Sequence, residues 1–362
     1  MGLRPIALAL LLPLSFCLAQ ANDEEAKKKL LADPRYQFSQ AELYVAEENY
    51  AEAFRLYKLA ADQGLPEAQC GLGNLYRYGQ GVPQDDKEAV RLYRLAAEKA
   101  WPEAEFNLGV MYDNGRGVRQ DYKEAARWYK IGADHGLADA QFNLGIMYAN
   151  GNGVPQDYKE AARLYRQAAE TREIANAQFN LAVLYDSGQG VPQDYKEAAH
   201  WYQLAAGQGH AAAQFNLGVL YANGQGVAQD FKEAARLYQL AGEQGEIEAQ
   251  YNAGVMYARG QGVDRDYQQA ARWYRMAAER GHRDAAFNLG GLYAAGRGVP
   301  ADLEQAYKWF SIAAAAGDQD SIAATRQLAS KMTAEQVEKA KAGAVVWKPC
   351  KTREECAGRM QQ

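Results

Sequence analysis

One period governs this chain. Aligned on Ala-Gln-Phe-Asn-Leu-Gly, the alanine recurs at Ala68, Ala104, Ala140, Ala177, Ala213, Ala249 and Ala285, in steps of 36 residues with a single step of 37. Self-similarity at that length marks a stacked-repeat architecture and overrides any division into domains by length alone. Within a unit, Ala104, Leu108, Met111 and Tyr112 fall at three- and four-residue spacing and predict an amphipathic first helix. Gly115 predicts its stop in the left-handed conformation, Gly117 adds a second flexible point, and Val118 supplies an apolar plug. Asp121, three residues before Glu124, reads as a capping-box-like start of a second helix. That helix carries Ala125, Ala126, Trp128, Tyr129 and Ala133 on its apolar face and ends at His135-Gly136. Its small residues let the two helices approach, and the aromatics are expected to fill the space between neighbouring hairpins.

One hairpin cannot bury its apolar face alone. The expected fold is therefore all-α, a right-handed α/α superhelical solenoid of stacked antiparallel helix pairs. Residues 35–331 are assigned to it as seven full repeats, an altered N-terminal unit from Ala41 with a shorter linker, and C-terminal helices over Asp302–Ala316 and Ser321–Lys331. Residues 332–362 are read as a polar capping helix, opened by Thr333, and a cysteine-containing tail. Residues 1–21 read as a secretory signal peptide: Arg4, the apolar stretch Ile6–Leu18, then Ala19-Gln20-Ala21 as cleavage signal. Residues 22–34 form a charged N-terminal segment, and the mature chain is expected to begin at Asn22. The apolar stretch is too short to span a bilayer, and no later segment is apolar enough. Export to the periplasm, or beyond it, is the expectation.

Composition narrows the chemistry. A net charge of −5 and a pI near 5.6 leave no basic stripe for a nucleic acid. Cys17 leaves with the signal peptide, and Cys70 sits at an apolar repeat position and reads as a buried thiol. Cys350 and Cys356, in KPCKTREEC, either close a small loop in an oxidising compartment or stand as two thiols. No spacing resembles a metal site. The Gly-x-Gly pairs, from Gly79/Gly81 to Gly296/Gly298, follow helices rather than strands and read as turns, not phosphate cradles. His135, His210 and His282 occupy helix-end loops and His200 precedes a Trp-Tyr pair, with no carboxylate or cysteine partner fixed by sequence. No catalytic residue, metal or cofactor is assigned, and the chain is expected not to be an enzyme.

Leu108, Gly109 and Tyr112, then Gly115-x-Gly117-Val118, then Asp121, Lys123, Glu124, Ala125 and Trp128-Tyr129, resemble the Sel-one-like repeat family, close kin of the tetratricopeptide repeats. The likeness runs from Gln37 to Lys331. It implies protein–protein scaffolding, often by bacterial proteins exported to the envelope, some touching host cells and others assisting envelope or exopolysaccharide assembly. Eukaryotic relatives act in endoplasmic-reticulum quality control. Some cysteine-rich members have been described as β-lactamases, which implies a cysteine pair stapling each repeat. This chain has none. Nor does Ser39, Ser187, Ser311, Ser321 or Ser330 have a lysine three residues on, as the Ser-x-x-Lys nucleophile needs.

Phe106, Phe142, Phe179, Phe215, Tyr251 and Phe287 occupy one first-helix position in successive repeats, with Val110, Ile146, Val183, Val219 and Val255 one turn on. The resemblance implies that this position faces the inner groove of the tetratricopeptide relatives. The ladder is then either a peptide-binding surface or part of the wall's own core. The asparagines one place along, Asn107 to Asn288, are expected to bond neighbouring backbone. A chaperone-type carboxylate clamp needs Asn and Lys where this chain has Val and Phe, and only Asn74 fits it. The extra residue within Thr171–Ile174 reads as a tolerated loop insertion. The reading is a secreted or periplasmic adaptor whose inner face holds a partner protein or peptide, with no nucleic acid and no membrane span. The alternatives are a carbohydrate- or peptidoglycan-binding envelope protein and a hydrolase of the β-lactamase-like type.

Overall fold

The computed structural model describes residues 24–352 apart from Glu173 and Ala316, together with Glu355, Cys356 and Gly358. The expected signal peptide, residues 1–21, lies outside the described residues. Every regular element among the described residues is an α-helix. The chain divides into two compact units, residues 1–173 and 174–362.

In the first unit, α1 (Glu24–Ala32) precedes four helix pairs. These are α2 (Pro34–Ala46) with α3 (Tyr50–Asp62), α4 (Pro66–Tyr78) with α5 (Asp86–Ala97), α6 (Pro102–Asn114) with α7 (Tyr122–Asp134), and α8 (Ala138–Asn150) with α9 (Tyr158–Arg172). Each second helix also packs on the next first helix: α3 on α4, α5 on α6, α7 on α8. In the second unit the pairs are α10 (Ala175–Ser187) with α11 (Tyr195–Gly207), α12 (Ala211–Asn223) with α13 (Phe231–Glu243), α14 (Ile247–Arg259) with α15 (Tyr267–Glu279), and α16 (Arg283–Ala295) with α17 (Leu303–Ala315). Both α18 (Gln319–Ala329) and α19 (Ala334–Val345) pack against α17.

Local chemistry fixes the helix ends. Pro34, Pro66 and Pro102 sit at first helical positions, where a missing N–H costs nothing. Asp121 caps α7 by accepting from the backbone of Lys123 and Glu124, at 2.9 and 3.2 Å. The expected box is only half built. Glu124 turns outward to Arg127, 3.1 Å away, as Glu88 does to Arg91 and Glu233 to Arg236. A complete capping box occurs at Thr333 and Gln336, at the start of α19.

Gly115 ends α6 at φ +65°. Gly117, expected as a flexible point, serves a different purpose. A Cβ there would lie 2.2 Å from the backbone oxygen of Asp86, at the start of the preceding second helix. The turn of one repeat is thus pressed on the backbone of the repeat before it, and only glycine fits. Inside each pair, Gly109 lies under the Tyr129 ring, which would stand 2.5 Å from an added Cβ. The aromatics divide the work that the sequence assigned jointly to the gap between hairpins. Tyr129, 1% exposed, fills its own pair. Trp128 packs against the preceding cluster of Val90, Tyr93 and Met111.

The C-terminal end of the stack is closed. Ala340 of α19 is buried and Lys339 pairs with Glu304 of α17 at 2.7 Å. The tail then folds back on α15. Trp347 donates from Nε1 to Glu279 Oε2 at 3.2 Å and sets its ring edge-on to Trp309. The Cys350 amide donates to the Glu279 carbonyl at 2.8 Å, and Cys350 is disulfide-bonded to Cys356. Cys70 is a buried thiol whose sulfur receives Asn107 Nδ2 at 3.6 Å.

The turn from a second helix to the next first helix uses a left-handed residue: Gly64, Gly136, Gly209, Gly245 and Gly281. Ala100 stands at that place before α6, at φ +55°. Its side chain pays the left-handed strain that glycine avoids, about 1–2 kcal/mol. Ala100→Gly is therefore expected to raise the unfolding free energy by about 0.5–1 kcal/mol, after the entropy that glycine adds to the unfolded chain. Urea denaturation checks it.

Candidate functional site

The first-helix ladder is neither core nor free surface. In the first unit Phe106 and Phe142 are half-buried, and in the second Phe179, Phe215, Tyr251 and Phe287 are too. Each leans on the aromatic ring of its own second helix. Phe106 meets Tyr129 at 5.8 Å, Phe142 meets Tyr165 at 5.9 Å, and Phe215 meets Tyr238 at 5.9 Å between centroids. Each ring is partly spent on the wall and partly exposed, as are Val110, Ile146, Val183, Val219 and Val255.

Polar groups border the ladder. Burial holds the Tyr129 and Tyr202 hydroxyls well above the ordinary tyrosine range, so they remain neutral donors beside Asp113 and Asp186. Burial also pushes Tyr238 up to about 12. Asn143 bonds backbone as expected, donating to the Asp139 carbonyl at 2.8 Å. Asn216 and Asn107 depart from that expectation: Asn216 donates to the Tyr202 hydroxyl at 3.0 Å, and Asn107 to Asn74 Oδ1 at 3.4 Å.

The histidines have partners that the sequence did not disclose. Gln69, Gln141, Gln214 and Gln250 each donate to a carbonyl near the end of the preceding second helix. Glu105 stands at that place in its repeat and has no N–H to give. It is 1% exposed, and its Oε2 lies 2.7 Å from His135 Nδ1. His282 likewise meets Glu248 at 3.2 Å. The signal was present in the one acidic residue among glutamines, but pairing it with a residue 30 positions on needed the stacking register. His210 and His282 also stack on ladder rings, on Phe179 at 4.6 Å and on Tyr251 at 4.5 Å. Each caps the helix that follows it, with Nδ1 accepting from the backbone of Ala213 and of Ala285.

At the extra residue, α9 runs on to Arg172, which pairs with Asp139 at 2.7 Å, while Glu173 lies outside the described residues. Among the described residues no group of three His, Cys, Asp or Glu side chains stands close enough to hold a metal ion. No helix of the described residues is long and apolar enough to cross a membrane.

Burial holds the His210 imidazole below its ordinary 6.5. The cap it supplies requires neutral Nδ1, and the folded state binds the proton less readily than the unfolded state. Its contribution is complete above the unfolded value and falls as pH drops through 6.5 toward the lower folded value. His210→Asn, which caps without titrating there, is expected to flatten part of the decline in melting temperature between pH 7 and 5.

The Sel1 repeat profile matches eight segments: residues 36–65, 66–100, 102–137, 138–170, 175–210, 211–246, 247–282 and 283–318. A Sel1 repeat protein from Oxalobacter formigenes is similar at 33% identity and a TM-score of 0.61, the match covering 87% of this chain and 93% of that one. The protective antigen c5321 of uropathogenic Escherichia coli strains, described as displaying an SLR fold, is 29% identical with a TM-score of 0.47, over 91% of this chain and 86% of that one. Among curated proteins, none matches. The repeats are of a kind that generally serves protein–protein interaction and is typically non-enzymatic. Eight tandem matches, and a 33% identical relative covered nearly end to end, place this chain in the Sel1 repeat family.

Proposed function

We propose that the protein is an exported, periplasmic adaptor that holds a segment of a partner protein along its first-helix face and carries out no catalysis. The observation that carries this reading is the half-buried aromatic ladder. Repeated half-buried rings, held by the wall yet partly exposed, give anchors that lose little side-chain freedom on binding. The disulfide in the tail and the signal-peptide-like sequence of residues 1–21 support export to an oxidising compartment. The mechanism is shape: within each unit the stacked pairs present equivalent anchors at a fixed repeat.

Phe142→Ala and Phe215→Ala test it together. Because both rings are half-buried, each substitution is expected to cost about 1–3 kcal/mol, below the 3–5 kcal/mol of a fully buried phenylalanine. Crosslinking in intact cells followed by pull-down is expected to recover a protein partner with the wild type and to lose it with the folded double variant. Capture unchanged in the double variant removes the ladder from the site. Recovery of peptidoglycan fragments in place of protein favours a carbohydrate ligand.

A further inference from the structure

We propose that Asn74, Arg77 and Asn107 form a recognition point for a carboxylate of the partner peptide, an inference that rests on the adaptor reading. A repeat protein separates what the fold needs from what it does not. Positions filled alike in every repeat build the stack, and a position that departs in one repeat is spared that duty. The face of α4 departs three times. Cys70 replaces the aromatic, Asn74 replaces Val110 and its equivalents, and Arg77 stands where Ala149, Ala222, Ala258 and Ala294 stand elsewhere. Asp113 and Asp186 fill that position in the other two repeats, and no other repeat carries a cation there, so the stack does not require the arginine.

Two of these departures, Asn74 and Arg77, join the repeat asparagine Asn107 in one polar cluster. Arg77 Nη1 donates to Asn107 Oδ1 at 3.3 Å, and Asn107 Nδ2 donates to Asn74 Oδ1 at 3.4 Å. The Tyr93 hydroxyl also donates to Asn74 Oδ1, at 2.7 Å. The amide oxygens are thereby used, and the Arg77 side chain also bonds the Tyr93 hydroxyl. Arg77 Nε is buried with no acceptor, and no carboxylate among the described residues pairs with the guanidinium. The other arginine nearby, Arg116, is held by Asp86 at 3.2 Å.

A cation at the end of α4 is favoured by the helix dipole, and the Tyr78 ring at 5.1 Å supports its plane. Neither contact gives Nε an acceptor, and a buried donor left without one is costly. What fits is a ligand that only accepts, is planar, and carries one negative charge against the single uncompensated cation. A carboxylate has those properties, and the guanidinium fork matches its two oxygens. The exposed Tyr78 ring over the guanidinium is the side chain whose rotation admits it.

The test follows the Arg77 Nε–Hε resonance of the full chain by NMR during titration with three probes. N-acetylphenylalanine supplies a terminal carboxylate, the α-amide of N-acetylglutamate a side-chain carboxylate, and N-acetylphenylalanine amide neither. A saturable shift with at least one acid and none with the amide is expected, and the tighter acid identifies the source. Arg77→Ala, which installs the residue of four other repeats, is expected to keep the melting temperature within a few degrees and to weaken the acid at least ~10-fold, read as chemical-shift changes at the Asn107 side-chain amide. An equal response to the amide, no saturable response, or shifts of the same size at the exposed Arg55 overturn the site. Those results leave partner capture by the aromatic ladder standing. Loss of the adaptor reading, by contrast, appears as unchanged capture in the Phe142 and Phe215 variant.

Discussion

The turn glycine of one repeat rests on the peptide backbone of the repeat before it. Gly81 sits on Tyr50, Gly117 on Asp86 and Gly153 on Tyr122 in the first unit, and Gly226, Gly262 and Gly298 repeat the contact in the second. At each an added Cβ would stand 1.9–2.4 Å from a backbone atom. Side-chain packing tolerates small slips because rotamers adjust. Backbone against backbone does not. The contact therefore sets the spacing between pairs within each unit, and the rings follow: tyrosine inside the pair over a helical glycine, tryptophan across to the preceding cluster.

Fixing the stack in this way leaves the first-helix face unburdened. The wall uses part of each ladder ring, aspartate caps most second helices and histidine caps α12 and α16, and the second-helix surface carries Glu–Arg pairs of little energetic weight. Several departures from the repeat lie on the first-helix face or beside it: Glu105 among glutamines, the histidines against Phe179 and Tyr251, and Asn74 and Arg77 beside Asn107.

That explains what was legible in the chain. The helices, their order and the stop at Gly115 follow from spacing within a repeat, where all the interacting residues are near neighbours in sequence. Gly117 was read only as a flexible point because its contact lies a repeat away, on Asp86. Glu124 looked like the far half of a capping box because spacing cannot show that Arg127 competes for it. Ala100 passed unnoticed as the left-handed residue of its turn, since alanine carries no mark of that conformation. The Glu105–His135 pair and the open donor of Arg77 also depend on which helices stack. The ladder position itself was found, but its half-buried state depends on the tilt of each ring on its tyrosine, which periodicity does not encode.

Two glycines of the first unit isolate the central contact. Gly117 and Gly136 both lie at positive φ, +68° and +83°, so alanine pays the same conformational strain at either. Only Gly117 faces backbone; nothing lies within 4 Å of a Cβ at Gly136. Urea denaturation of Gly117→Ala and Gly136→Ala, side by side, therefore measures the interlock with the strain subtracted. The account predicts that Gly136→Ala costs about 1 kcal/mol and Gly117→Ala about 2 kcal/mol more, the cost of forcing an atom into a packed contact. Equal losses at the two positions would contradict it, and would mean that side-chain packing alone sets the repeat.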